Sequence, residues 1–137
     1  MSPRAIVELM MKNDAFSRWL GVDVVQVDKG TCTLNLTVRA DMTNGFHVSH
    51  GGIAYSLADS ATAFAANAHG EQAMSIECQM SYLTSIPQGS TLTARATEEH
   101  RSKRLGRYRV ALSSNDKPVA LFYGVVMFLG KPWKLES

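Results

Sequence analysis

The chain has 137 residues, enough for one domain with its own hydrophobic core. Hydrophobic residues at 45% and charged residues at 19% describe an ordinary soluble globular protein, and a net charge of +2 gives no argument for a nucleic-acid or membrane-surface partner. Cys32 and Cys78 have no close-spaced partners, so neither a zinc site nor a disulfide framework is indicated. No signal-peptide core or membrane-length apolar run is present, and the default expectation is a cytoplasmic protein.

The chain begins with a predicted helical segment over residues 1–20. Pro3 can occupy its first turn, and Gly21 ends it. Two strands follow with a turn at residues 28–30 between them, and the second strand covers 31–38.

The central helix is predicted over residues 51–69, after a polar loop and a Gly-Gly step. Its apolar residues recur with the spacing of one buried stripe: Ile53, Ala54, Leu57, Ala58, Ala61, Phe64, Ala65 and Ala68. Asp59 projects to the opposite side, where its neighbours are small or uncharged: Tyr55, Ser56, Thr62, Ala63 and Ala66. A back face without further charges predicts that a second surface packs there, which makes Asp59 a candidate for chemistry. The alternative is a solvated or capping acid.

Four further strands are predicted after the helix, over residues 73–83, 90–101, 106–114 and 119–129. The last strand is apolar on both faces, which suits a strand covered on both sides. Residues 133–137 are predicted to form a short tail. One long helix among antiparallel strands predicts an α+β fold in which the sheet curls around the helix, within a single domain over residues 1–137.

An ordered set of motifs accompanies this pattern. Asn44-Gly, His50-Gly-Gly and Ser56-Leu-Ala-Asp59 resemble the signature of the hotdog-fold acyl-CoA thioesterases of the phenylacetate-degradation type, and the likeness extends over nearly the whole chain. The resemblance implies a homodimer whose sheets join edge to edge with the two central helices antiparallel, and often a dimer of dimers. It also implies hydrolysis of an acyl-CoA thioester at the dimer interface, without metal or redox cofactor.

The helix start and the acid are separated along the helix axis. Gly51 and Gly52 lie where backbone N–H groups are free to meet an anion. Asp59 follows eight residues later, about 12 Å along the axis, so one thioester carbon cannot touch both groups within one subunit. Antiparallel helices from two subunits would bring them together, which predicts that the site needs a dimer.

The mechanism expected from the resemblance gives each residue a role. Gly51 and Gly52 N–H groups bind the thioester carbonyl oxygen, and Asp59 of the other subunit acts as general base or as nucleophile. Asn44 holds water or substrate, unless it is a turn residue, and His50 fixes the loop or lends a donor, unless its hydrogen bond is structural.

Further residues are expected around the substrate. Ser75 matches a polar helper position of some relatives, and the acyl pocket is expected to be lined by Phe46, Val48, Ile53 and Tyr55. Arg104 and Arg107 belong to a basic cluster that either contacts the CoA phosphates or is a solvated hairpin. His47 and His50 lack nearby partners that would complete a metal site.

The resemblance favours aryl-acetyl or hydroxylated aryl-acetyl CoA as substrate, with short or medium acyl chains as alternatives. Two other functions compete with hydrolysis: a hydratase or dehydratase of the same fold, and a non-catalytic acyl-CoA binding protein. The first typically needs a His paired with an acid at other spacings, a pattern that the sequence lacks. A DNA-binding sensor would need a basic helix-turn-helix, which the short N-terminal segment cannot supply.

Overall fold

The computed structural model describes residues 1–135. Its helices are α1 (Pro3–Asn13), α2 (Ala15–Leu20) and α3 (Gly51–Asn67), with a 3-10 turn at Ala40–Met42. Its strands are β1 (Asp23–Asp28), β2 (Thr31–Thr37), β3 (Glu71–Tyr82), β4 (Thr91–Arg101), β5 (Leu105–Ser114) and β6 (Lys117–Pro132). The predicted strands are present with ends shifted by at most three residues, and α3 ends two residues before the predicted bound of residue 69.

All six strands form one antiparallel sheet in the order β1-β2-β4-β5-β6-β3, and α3 packs against it. The predicted α+β fold, an antiparallel sheet curled around one long helix, is confirmed. The buried stripe of α3 is also confirmed, since each of its eight predicted members is less than 9% exposed. This stripe and the inner face of the sheet make the hydrophobic core.

The back face of α3 is narrower than the sequence predicts. Thr62 and Ala66 were expected on the open side but are fully buried. Gly124 of β6 makes this possible, because a Cβ at that glycine would lie 3.2 Å from the Thr62 methyl group. The Thr62 hydroxyl donates to the Ala58 carbonyl, so its burial leaves no polar atom unpaired. The open strip of α3 that remains contains Tyr55, Ser56, Asp59, Ser60 and Ala63.

The N-terminal helices lie beside this open strip. Asp14 separates them: its side chain accepts hydrogen bonds from the backbone N–H and the hydroxyl of Ser17, which caps α2. The Ser17 hydroxyl is also 2.9 Å from the hydroxyl of Ser60 on α3. The cap therefore fixes α2 along the same helix face that carries Asp59.

The last strand and the tail differ from prediction. One face of β6 is in the core, but the other is partly open, with Tyr123 44% exposed, so the strand is not covered on both sides within the chain. Trp133, predicted as part of a tail, is anchored: its backbone N–H donates to Gly70 and its indole N–H to Asn67. Residues 136–137 of the predicted tail lie outside the described residues.

The two edges of the sheet are different. At β1, helix α1 packs alongside, and the Arg4 guanidinium donates to the Val24 carbonyl at 3.3 Å. Within residues 1–135 no strand pairs with the outer edge of β3. A bulge in β3 between Ser75 and Glu77 contains Ile76, which is 54% exposed. None of the helices described is long and apolar enough to cross a membrane.

Candidate active site

The loop before α3 is closed by Asn44. Its side-chain oxygen accepts hydrogen bonds from the backbone N–H groups of Phe46, at 2.9 Å, and Val48, at 3.4 Å. These are the contacts of a turn residue, the alternative that the sequence left open. The oxygen of Asn44 is therefore engaged in the loop, and its amino group is the part that can meet a ligand.

His50 caps the N-terminus of α3. Its Nδ1 accepts the backbone N–H of Gly52 at 2.9 Å. Because Nδ1 is the acceptor, a neutral His50 ring carries its hydrogen on Nε2. The sequence predicted Gly52 as a second donor to the substrate oxygen, but its N–H is engaged by His50.

Gly51 supplies the remaining donor at the helix start. Its N–H meets no acceptor among residues 1–135, and it lies at the positive end of the α3 dipole. On its other side, the Tyr82 hydroxyl donates to the Gly51 carbonyl at 2.7 Å. Gly51 thus offers one N–H to a negatively charged or polarised oxygen atom.

Asp59 is held through one of its two oxygens. The Ser75 hydroxyl donates to Asp59 Oδ1 at 2.8 Å, and the Cys78 Sγ lies 3.9 Å from the same oxygen. Burial raises the pKa of the Cys78 thiol, and the Asp59 carboxylate raises it further, so the thiol stays protonated. Both contacts are made to Oδ1, and Oδ2 accepts no hydrogen bond from residues 1–135.

A cleft of about 300 Å³ opens beside Asp59 between α3 and the N-terminal helices. Tyr55 lines it from α3, and Phe16 lines it from α2. Phe16 is 54% exposed, stacks on Trp19, and also lines a second cleft of about 300 Å³ beside His50 and Gly52. The two clefts share Ser56 as well, so they form one groove along the open strip of α3.

The residues predicted for the acyl pocket do not line one common cleft within a single subunit. Tyr55 lies at the Asp59 cleft, whereas Val48 lines a cleft of about 290 Å³ with Asn44, His50 and Gly51 on the other side of the helix start. Phe46 is 86% exposed at the tip of its loop and lines neither of these clefts. One chain therefore presents two half-sites, one at the helix start and one at Asp59.

The basic cluster is also divided. Lys103 and Arg104 line a cleft of about 460 Å³ at the end of β6. Arg107 is exposed on the outer face of β5, because the strand alternates and Tyr108, the next residue, is buried. Of the two predicted phosphate contacts, only Arg104 lies at this cleft. Among the described residues no cluster of three His, Cys, Asp or Glu side chains could hold a metal ion.

Sequence reasoning did not assign roles to Phe16, Cys78 and Tyr82. Phe16 lies in the predicted helical segment 1–20, and its exposure depends on how Asp14 divides that segment into two helices. Cys78 and Tyr82 lie on the strand that follows α3. Because β3 contains a bulge, a regular alternation along its sequence does not predict which of its residues face the helix. The pairing of Tyr82 with a glycine carbonyl has no sequence signal.

Comparison with known proteins identifies the fold. The family model of the thioesterase superfamily matches residues 46–120. The acyl-coenzyme A thioesterase PaaI of Escherichia coli K12 is 40% identical over 116 residues, which are 84% of this chain and 83% of the relative. The structure of the E. coli PaaI protein from the phenylacetic acid degradation operon superposes with a TM-score of 0.92 at 36% identity, covering 95% of each chain.

A mutant of the phenylacetic acid degradation protein PaaI from Thermus thermophilus has a TM-score of 0.82 at 40% identity, covering 85% of this chain and 100% of that one. The chain belongs to the thioesterase superfamily. The hotdog fold and the resemblance to the phenylacetate-degradation type, both predicted from the motifs, are confirmed. The protein is a thioester hydrolase.

Proposed function

We propose that this protein hydrolyses aryl-acyl CoA thioesters, of the phenylacetyl or hydroxyphenylacetyl kind, to the free acid and CoA. The observation that carries the proposal is Asp59, the one charged residue on α3, held by Ser75 at the wall of a groove. The similar E. coli protein is named an acyl-coenzyme A thioesterase and comes from a phenylacetic acid degradation operon. The exposed ring of Phe16 in that groove suits an aryl group.

The site is completed by a second copy of the chain. Gly51 and Asp59 are eight residues apart on one straight helix, about 12 Å along its axis. A homodimer formed along the open edge of β3 would place two α3 helices side by side and antiparallel. The start of one helix would then lie near Asp59 of the other, which joins the two half-sites.

The chemistry follows from these groups. The thioester carbonyl accepts a hydrogen bond from the Gly51 N–H, and from His50 Nε2–H or the Asn44 amino group where the substrate reaches them. Oδ2 of Asp59 either takes a proton from the attacking water or attacks the carbonyl carbon itself to form an anhydride. The CoA thiolate leaves readily, so no strong acid is needed. We assign the CoA phosphates to Arg104 and Lys103, because both line one cleft and basic side chains suit phosphate oxygens.

The experiment is a hydrolysis assay with a panel of acyl-CoA esters, comparing the wild type with Asp59→Asn. We expect aryl-acetyl CoA esters to give the highest kcat/KM and the variant to lose about 10²-fold or more in kcat, the size typical of a lost general base. Dimer content by light scattering should not change.

Asp23→Asn is the matched control, because Asp23 is an exposed carboxylate at the start of β1. Activity that survives in Asp59→Asn rules out the mechanism. Highest kcat/KM for short or medium acyl chains would replace the aryl substrate class, and tight binding without hydrolysis would favour an acyl-CoA binding protein.

A dimer of dimers, a cytoplasmic location and a single domain over residues 1–137 complete the proposal. The outer face of β6, with Tyr123 and Met127 at 44% and 39% exposure, is a candidate for the contact between dimers. No cofactor is needed for the proposed reaction.

A further inference from the structure

Tyr82, near the end of β3, contacts the peptide group that begins α3. Its hydroxyl donates to the carbonyl oxygen of Gly51 at 2.7 Å. At the same helix start, the N–H of Gly52 donates to Nδ1 of His50 at 2.9 Å. The Gly51 carbonyl and the Gly52 N–H belong to one planar peptide group. The Tyr82 hydroxyl, this peptide and the His50 ring therefore form a continuous chain of hydrogen bonds.

The chain of hydrogen bonds fixes the direction of the His50 ring donor. Each bond polarises the next, so a donor at the Gly51 carbonyl strengthens the bond that the Gly52 N–H makes to His50. That bond holds the His50 ring with Nδ1 as acceptor, and its Nε2–H then faces away from the helix. Burial raises the pKa of the Tyr82 hydroxyl, which therefore stays a donor at neutral pH.

Tyr82 also explains the glycine at position 51. A Cβ on Gly51 would lie 3.2 Å from the Tyr82 hydroxyl oxygen and 3.3 Å from its Cζ, closer than ordinary van der Waals contact. The tyrosine fills the space that a side chain at position 51 would need. Tyr82, Gly51 and His50 line the same cleft of about 290 Å³, together with Asn44.

We propose that Tyr82 is a positioning residue, which holds the peptide group between Gly51 and Gly52, and through it the His50 ring, so that the His50 Nε2–H points into the cleft that Gly51 also lines. The kinetic consequence rests on the proposed function, because it requires that the His50 Nε2–H meets a thioester carbonyl. Tyr82 acts through the helix start and does not contact the reacting atoms.

The first test is Tyr82→Phe, which keeps the ring and removes the hydroxyl. We expect kcat to fall about three- to tenfold with KM within about twofold, the size of one neutral hydrogen bond. Thr91→Val, which removes an exposed hydroxyl on β4, is the control and keeps the wild-type kcat. A wild-type kcat in Tyr82→Phe, or a change confined to KM, overturns the proposal.

The second test is a double-mutant cycle between Gly51→Ala and Tyr82→Leu. Because the added Cβ is expected to collide with the tyrosine, Gly51→Ala should cost at least about threefold less in kcat when Tyr82 is already leucine. If Gly51→Ala lowers kcat equally in the wild type and in Tyr82→Leu, the glycine is needed for the close approach of a ligand and not to make room for Tyr82. That result overturns the packing part of the proposal. Thermal melts of all variants identify any that do not fold.

A third readout needs no substrate. The ¹⁵N shifts of the imidazole of His50, assigned by comparison with His50→Asn, report which ring nitrogen carries hydrogen. We expect the Nε2–H tautomer in the wild type and a measurably larger share of the other tautomer in Tyr82→Phe. Unchanged shifts overturn the proposal. If the wild type hydrolyses no acyl-CoA, the proposed function fails while this measurement still decides the role of Tyr82.

Discussion

At the scale of single residues, Asp59 is constrained unequally at its two carboxylate oxygens. Oδ1 accepts from the Ser75 hydroxyl and lies near the Cys78 thiol, whereas Oδ2 is the oxygen left for chemistry. A hydrogen bond to a charged oxygen fixes the carboxylate rotamer more firmly than packing alone. Ser75 is therefore expected to orient the carboxylate rather than to bind substrate.

Replacing Ser75 tests this orientation. We expect Ser75→Ala to lower kcat about tenfold with little change in KM, because a hydrogen bond to a charged group is lost while the acid remains. Ser75→Thr, which keeps a hydroxyl, should recover most of the rate. Ser81→Ala, on the exposed face of the same strand, is the control. An increase in KM without loss of kcat would mean that Ser75 binds the substrate instead.

The sequence identified the residues that carry a motif, and the family resemblance added Ser75, but most of their hydrogen-bond partners were not predicted. Asp59 stands out because α3 has no other charge, and His50 and Gly51 follow a recognisable pattern. The engagement of Gly52 by His50 could not be foreseen, because a helix cap depends on one ring rotamer. In the same way, the burial of Thr62 depends on a glycine of β6 that is 62 residues away in the sequence.

At the scale of elements, the helix was easier to predict than its surroundings. A 3.6-residue period fixes which side of α3 is buried, and local turn residues fix where the strands begin and end. Strand order and the position of α2 depend on long-range packing, such as the contact between the hydroxyls of Ser17 and Ser60. The groove beside Asp59 could therefore not be predicted from local sequence patterns, because it forms only when α2 packs beside α3.

The edge strand β3 gives a prediction for the dimer. Ile76→Lys places a charge in its bulge, and we expect the dimer to dissociate and hydrolysis to fall in parallel, because a buried lysine without a partner is costly. Val25→Lys is a close control: Val25 lies in the bulge of the other edge strand, β1, and is 53% exposed against 54% for Ile76. Sedimentation velocity and activity at matched concentrations measure the effect. A dimer that persists in Ile76→Lys contradicts this interface.

At the scale of the whole molecule, a thiol buried in the core makes the stability of the fold depend on pH in the alkaline range. Burial raises the pKa of the Cys32 thiol from its ordinary value of 9.0 to about 12. The folded state thus keeps the thiol proton, and the unfolded chain releases it above pH 9. This contribution to stability is complete below pH 9 and is lost as the pH rises towards 12.

Urea unfolding between pH 8 and pH 11 measures this loss. We expect the free energy of unfolding to fall with pH, and above about pH 10 its slope to be smaller in Cys32→Ala by up to about 1.4 kcal/mol per pH unit, the value for one proton. The comparison uses slopes because the substitution also leaves a small cavity that lowers stability at every pH. Equal slopes in the wild type and in Cys32→Ala would show that Cys32 has the same pKa in the folded and in the unfolded protein.

The bulge at Ile76 has a consequence for the length of β3. Ser75 and Cys78 are three residues apart, so in a regular strand they would face opposite sides of the sheet. The extra residue puts both against Asp59 and leaves Ala73 buried. A β3 of the same length without the bulge would have to turn either Ser75 or Cys78 away from the carboxylate. A homologue that lacks the residue at position 76 could instead keep both on Asp59 with regular alternation, so the length of β3 and the presence of its bulge are expected to change together.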